Sequence, residues 1–271
     1  MKKLILFSVI AALSANIYAQ KDTATLIFGK NKVLIISDKA DTATKTIVVN
    51  DSTEKKQNSH KKKFNGRWAG IELGLNGYVT DDYSFSLPSN IDYMELKQAK
   101  SINFNINLLE WNIGIYKNYI GIVSGLGYGF TNYHFEKNTH LNVDSTVLGY
   151  TIDSDNRYKK NKLVINNIRV PLMLEFHIPV NDHKDKIYLS AGVIGSLRTG
   201  SHIKQVFYIN GDRQSNKEYH SYYLNPLAYS GQVRIGYNKL GFYFEYQLSE
   251  LFKKDKGPSL YPWAAGLSFC F

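Results

Sequence analysis

The stretch YPWAAGLSFCF, Tyr261 to Phe271, alternates without a break. Tyr261, Trp263, Ala265, Leu267, Phe269 and Phe271 fall on one side of an extended chain, and Ala264, Gly266, Ser268 and Cys270 on the other. Large apolar side chains thus face small ones across a single strand. Whether the large face looks into a core or out into lipid depends on how the other strands are written.

Seven further segments obey the same rule. WAGIELGLNGYV places Ala69, Ile71, Leu73, Leu75 and Val79 opposite Gly70, Glu72, Gly74, Asn76 and Tyr78. SINFNINL sets Ile102, Phe104, Ile106 and Leu108 against Asn103, Asn105 and Asn107; three alternating asparagines are poor strand formers and need a wet or hydrogen-bonded face. YIGIVSGLGYGF sets Ile120, Ile122, Leu126, Tyr128 and Phe130 against Gly121, Gly125, Gly127 and Gly129, a face that leaves room in a crowded interior. In LVINNIRVPLMLEFHI the apolar row is Val164, Ile168, Val170, Leu172, Leu174, Phe176 and Ile178, opposite Arg169, Met173, Glu175 and His177. IYLSAGVIGSLR opposes Ile187, Leu189, Val193 and Leu197 to Ser190, Gly192, Ser196 and Arg198. AYSGQVRIGY opposes Tyr229, Val233, Ile235 and Tyr237 to Ser230, Gln232 and Arg234, and LGFYFEYQL opposes Leu240, Phe242, Phe244, Tyr246 and Leu248 to Tyr243, Glu245 and Gln247.

The connections alternate as well. Lys117-Asn118, Asn181 to Lys186 and Asn238-Lys239 are short; Asp81 to Lys100, Glu136 to Lys162, about Asn210 to Tyr222, and Phe252 to Leu260 are long. Even strand number, short turns at one end and long loops at the other are the layout of a transmembrane antiparallel up-and-down β-barrel of eight strands, in which every backbone polar group is paired. A lipocalin-like barrel or β-sandwich would point its large apolar side chains inward. Here the other face mixes Gly, Ser and Asn with Arg and Glu, which suits the narrow lumen of an eight-stranded barrel. Trp68, Tyr119, Tyr237, Tyr261 and Trp263, near strand ends, are expected in the interfacial girdles.

Twenty Tyr and 14 Phe in 271 residues agree with an all-β protein at a water–lipid boundary. MKKLILFSVIAALSANIYAQ reads as a cleaved signal peptide over residues 1–19: a basic start at Lys2-Lys3, an apolar core from Leu4 to Leu13 too short to span, and Ile17-Tyr18-Ala19 as the cleavage site. Residues 20–65 then form a periplasmic segment and flexible basic linker. Within it ATLIFGKNKVLIISD reads as a hairpin turning near Gly29-Lys30-Asn31, TKTIVV as a third strand, and NDSTEKKQNSHKKK as a tether. The barrel occupies residues 66–271. The single Cys270 excludes an internal disulfide. The basic run ending at Lys63 reads as a solvated linker, so no nucleic acid is expected as a partner.

With the signal and the other strands in place, Tyr261, Trp263, Leu267, Phe269 and Phe271 resemble the C-terminal strand read by the barrel-assembly machinery. GIELGLNGY, KSINFNINLLEWNI, VPLMLEF and LFKKDKGPSLYPWAAGLS, together with the long loops, resemble the PorT-like outer-membrane β-barrel domain proteins of Bacteroidetes-type bacteria over about Arg67 to Phe271. The resemblance implies an integral outer-membrane protein, with outer-membrane lipid, the assembly machinery and other envelope proteins as partners. One branch of that family is associated with protein secretion.

Chemistry is sparse. Glu72, Arg169, Glu175, Arg198, Arg234 and Glu245 face the lumen, three of each sign. They read either as an ion path or, with signs balanced, as a bracing network of paired charges, the preferred reading. Glu110 follows the Leu108-Leu109 break in alternation, where a bulge redirects it. The seven histidines (His60, His134, His140, His177, His183, His202, His220) form no HExxH or paired-ligand spacing, and no GxSxG occurs. No catalytic residue, metal or cofactor is expected. The function read from the sequence is a non-enzymatic structural or interaction module; a secretion or transport component, a narrow pore and a lipid-modifying enzyme are the alternatives.

Overall fold

The structure is a computed structural model that describes residues 64–153, 158–180, 185–209 and 212–271, together with three strands nearer the N-terminus. Those three are β1 (Thr23–Phe28), β2 (Asn31–Ile36) and β3 (Lys45–Val49), which pair antiparallel in that order. They belong to a compact unit of their own, Met1–His60. The signal-peptide and tether readings lie outside the described residues.

The larger unit, Lys61–Phe271, is all-β and antiparallel. Its strands are β4 (Gly70–Val79), β5 (Ile102–Tyr116), β6 (Ile120–His134), the short β7 (Thr139–Asn142) and β8 (Gly149–Ile152), β9 (Lys160–Val180), β10 (Asp185–Ile209), β11 (Asp212–Glu218), β12 (Leu227–Tyr237), β13 (Leu240–Gln247) and β14 (Tyr261–Cys270). Neighbours run β10-β12-β13-β14-β4-β5-β6-β9, and β9 pairs again with β10 from Val180↔Asp185 to Lys160↔Val206. Each of these eight strands therefore has an antiparallel partner on both sides. No helix among the described residues is long and apolar enough to cross a membrane; the 3₁₀ turns Asp92–Met94 and Gln98–Lys100 are single turns.

Period two makes the faces, and burial shows which one is inside. Leu172, Phe242, Ile113 and Leu73 are 57%, 63%, 66% and 55% exposed, while Glu72, Asn107, Ser268 and Arg234 are at most 2% exposed. The sheet is thus greasy outside and polar within, the reverse of a soluble β-protein. At the end with short turns, Lys117 and Asn238 take the left-handed conformation that a two-residue reversal needs, with φ of 49° and 52°. The Asn181 to Lys186 connection is described only from Asp185 on.

The other end departs from the sequence reading. β9 and β10 run far past their exposed apolar stretches, β10 for 25 residues. The expected loop from Asn210 to Tyr222 holds β11, paired with β10 from Ile203↔Glu218 to Ile209↔Asp212. Glu136 to Lys162 holds the β7–β8 hairpin. These segments close over a core of Tyr93, Met94, Phe135, Leu141, Leu163, Ile203, Tyr222, Phe252 and Leu260, so the long connections are a folded cap. The sequence signal for β11 was hidden because DRQSNKE has no apolar face: all its residues except Glu218 are exposed. Val79, expected outward, is 4% exposed; it lines a groove on the outer face with Tyr83, Phe85, Phe244, Tyr246 and Trp263.

Trp68 is also corrected. It is fully buried and lies in no girdle; with Phe64, Val123, Met173 and Ile194 it forms an apolar cluster. The chain that leads into β4 therefore occupies interior space, and Phe64, at the end of the segment read as linker, is 7% exposed.

Candidate functional site

The glycine face of β6 explains how that segment fits. A Cβ on Gly121 would sit 2.5 Å from the Phe64 ring, and one on Gly125 2.6 Å from Trp68 Cδ1. The missing side chains are the room that these two rings use. Once inside, the segment is tied by its backbone. Trp68 N–H and Ala69 N–H both donate to Glu110 Oε2, at 2.6 and 2.8 Å, and Arg67 N–H donates to Glu175 Oε2 at 3.3 Å. Glu110 reaches this position because β5 shifts register against β6 between Asn107 and Leu109, so the bulge expected at Leu108-Leu109 is present and turns the carboxylate inward.

Above the segment lies the principal charge cluster. Arg169 on β9 donates to Glu72 on β4 at 3.1 Å and to Glu245 on β13; the pair with Glu72 is nearly sealed from solvent, and Glu245 is half-buried. Arg234 on β12 comes within 3.5 Å of the second Glu72 oxygen. Both guanidinium groups lie over the Trp68 ring, at 5.7 and 5.5 Å from its centre. One indole thus meets two cations on its faces, an arrangement stronger where water is excluded. Neutral donors complete the cluster: Asn105 reaches Glu72 at 2.9 Å, Ser230 reaches Glu245 at 2.7 Å, and Gln232 reaches Glu245 at 3.2 Å. Each carboxylate accepts several bonds, which buried charge requires.

The other sequence-selected charges are elsewhere. Glu175 pairs with His177 at 2.6 Å, and the His177 ring stacks on Phe64 with centres 4.7 Å apart. Among the described residues Arg198 meets no carboxylate. Its guanidinium donates to Ser201 Oγ at 3.1 Å and Leu224 O at 3.3 Å, beside the β10 irregularity between Arg198 and Gly200. Cys270 Sγ lies 3.2 Å from Arg67 O. A cavity of about 70 Å³ separates the cluster from the cap, lined by Asn76, Asn103, Arg169, Arg198 and Glu245. That is room for a few waters only. Among the described residues no group of three or more His, Cys, Asp or Glu is placed to hold a metal ion.

Of the strand proposed as an assembly signal, Leu267, Phe269 and Phe271 are exposed on the outer face, and Tyr261 and Trp263 are half-buried there. Of the six charges singled out in the sequence, Glu72, Arg169, Arg234 and Glu245 lie together, and Phe64 and Trp68, read there as linker and girdle residues, pack below them. The signal for the two rings was present in Gly121 and Gly125, which lacked an assigned occupant.

Two solved structures of Ail, the attachment invasion locus protein of Yersinia pestis, are similar to the chain. One, in complex with the heparin analogue sucrose octasulfate, is 15% identical, covers 74% of this chain and 95% of its own, and has a TM-score of 0.28. The other, Ail by itself, is 12% identical, covers 75% and 99%, and has a TM-score of 0.27. No curated protein matches the chain. The sequence profile of the outer membrane protein beta-barrel domain matches residues 50–252, three quarters of the chain, so the protein belongs to that family and resides in the outer membrane.

Proposed function

We propose that the protein is a closed, eight-stranded transmembrane barrel that works as a non-enzymatic anchor and interaction module, with its folded cap outside the cell and residues 20–65 in the periplasm. The observation that carries this is the contents of the lumen. Phe64 and Trp68 occupy one end, the Glu72–Arg169–Glu245–Arg234 cluster crosses the middle, and the apolar core of the cap lies at the other. A lumen filled in this way braces the wall and leaves no water column for ions. It also leaves a translocating protein no path, which weighs against transport through this chain in a PorT-like secretion assembly. The outward row of β14, with Leu267 and Phe269, and Phe271 next to it form the surface for the assembly machinery.

Ion conductance in planar bilayers tests the reading. The heat-modifiable barrel, Glu72→Gln and Arg169→Gln are compared. Silence from the parent is expected; steady single channels whose selectivity changes in the two variants would make the charges a filter and overturn the closed anchor. Deleting residues 20–65 tests the periplasmic contact: loss of partner association with the barrel still folded supports it, and unchanged association removes it.

A further inference from the structure

The outer face carries a row of lysines across three strands, continued by His134 on a fourth. On β11, β10, β9 and β6, the residues directly opposite one another are Lys217↔Lys204, Lys204↔Lys162 and Lys162↔His134. Lys160 lies two residues beyond Lys162 on the same strand face, and Lys97 N–H donates to His134 O, which brings the Lys97–Lys100 segment alongside. Like charges facing one another across strands are unfavourable. No carboxylate stands in the row. The adjacent acid, Glu218, is turned to His140 at 3.7 Å and to Asn216 at 2.7 Å, and Asp92 is taken by Lys137 at 2.5 Å. Partial burial, with Lys204 and Lys160 beside it, holds the Lys162 ammonium below the usual lysine range.

The height of the row is as telling as its charge. Two residues nearer the short-turn end, β6, β9 and β10 carry Asn132, Val164 and His202 in register, with Ile102 of β5 beside Asn132; below them come Phe130 and Tyr128 and then the exposed apolar band. Two strand residues span about 7 Å. The lysines therefore stand one step above a mixed polar level and two above the level of Phe130, where headgroups replace acyl chains.

We propose that Lys162, Lys204 and Lys217, with Lys160 and Lys100 beside them, bind the phosphate groups of an anionic glycolipid in the outer leaflet. The inference rests on the membrane placement given above. The counter-charge that the row lacks within the protein is supplied by lipid, and the ammonium groups, as compact multi-donor cations on flexible stems, suit several phosphate positions.

The test uses the full chain in phosphatidylcholine nanodiscs containing a small share of lipid A, either with both phosphates or dephosphorylated, with lipid retention read by native mass spectrometry. Heat-modifiability in phosphatidylcholine alone checks the membrane placement independently. Selective retention of the phosphorylated form is expected. Lys204→Gln should weaken it about fivefold, and Lys162→Gln/Lys204→Gln/Lys217→Gln roughly a hundredfold, the equivalents of ~1 kcal/mol per lysine at an anionic surface. Lys239→Gln, at the opposite end, should change nothing. Equal retention of both lipids, an unaffected triple variant, an equal loss in Lys239→Gln, or displacement by free inorganic phosphate would each overturn the proposal.

Discussion

Arg169 and Glu72 are 97 residues apart in the chain and 3.1 Å apart in the fold, each almost wholly removed from solvent. Their strands are not neighbours, so the pair spans the interior from β9 to β4. Arg169 also takes Glu245, so one cation links acids on two other strands, and Arg234 beside Glu72 supplies the second positive charge.

Arg169→Met should therefore cost about 3 kcal/mol, because it leaves the buried Glu72 and the half-buried Glu245 with only Arg234 to balance them. Adding Glu245→Gln should recover part of that loss, with a coupling of about 1 kcal/mol or more. Urea unfolding of the refolded single and double variants measures both; strict additivity would show that the pair does not act as a unit.

Trp68→Ala removes a fully buried indole and the surface under two guanidinium groups. A loss of about 3–5 kcal/mol is expected. Urea unfolding measures it, and the same variant should stay silent in planar bilayers, because the charge cluster and the cap core still fill the lumen.

Gly125→Ala places a methyl group against Leu109 O and Trp68, whose Nε1 would be 2.7 Å away. Backbone on one side and a packed ring on the other leave little relief, so about 1–3 kcal/mol of destabilisation is expected. Gly231→Ala, with nothing within 4 Å of its added Cβ, should be nearly neutral. Equal midpoints for the two would refute the account of why β6 is glycine-rich.

His134 gives a pH prediction. Burial first, then Lys162, Lys100, Lys160 and Lys97, lower its pKa from 6.5 to about 4. Between those values the unfolded chain binds a proton that the folded chain refuses, so stability falls as pH drops from about 6.5 to about 4 and is unaffected by this group above that window. The stability difference between the parent and His134→Gln, followed from pH 8 to pH 4 (roughly the range in which histidine titrates), should change in this direction; a flat difference would place His134 in solvent.

Much of this was written locally. Alternation in SINFNINL, VPLMLEF and YPWAAGLSFCF assigned faces correctly because side-chain direction repeats every two residues regardless of partner. Lys117 and Asn238 marked tight turns, and Leu108-Leu109 marked a bulge, since both are short-range backbone events. Trp68 was misplaced because an aromatic beside a strand end looks alike whether it enters a girdle or folds back inside. β11 was missed because its pairing with β10, rather than an apolar face, makes it a strand.

By itself, then, the sequence determined an all-β chain with one apolar and one polar face per strand, and the charges that the polar face carries. Tertiary structure alone decided that Arg169 meets Glu72 and Glu245 while Arg198 donates to Ser201 and Leu224, that Phe64 and Trp68 enter the space over Gly121 and Gly125, and that three lysines align with His134 on the outer surface. The reason is register: alternation fixes the side to which a residue points, whereas the strand and height it meets depend on pairings between segments far apart in the chain.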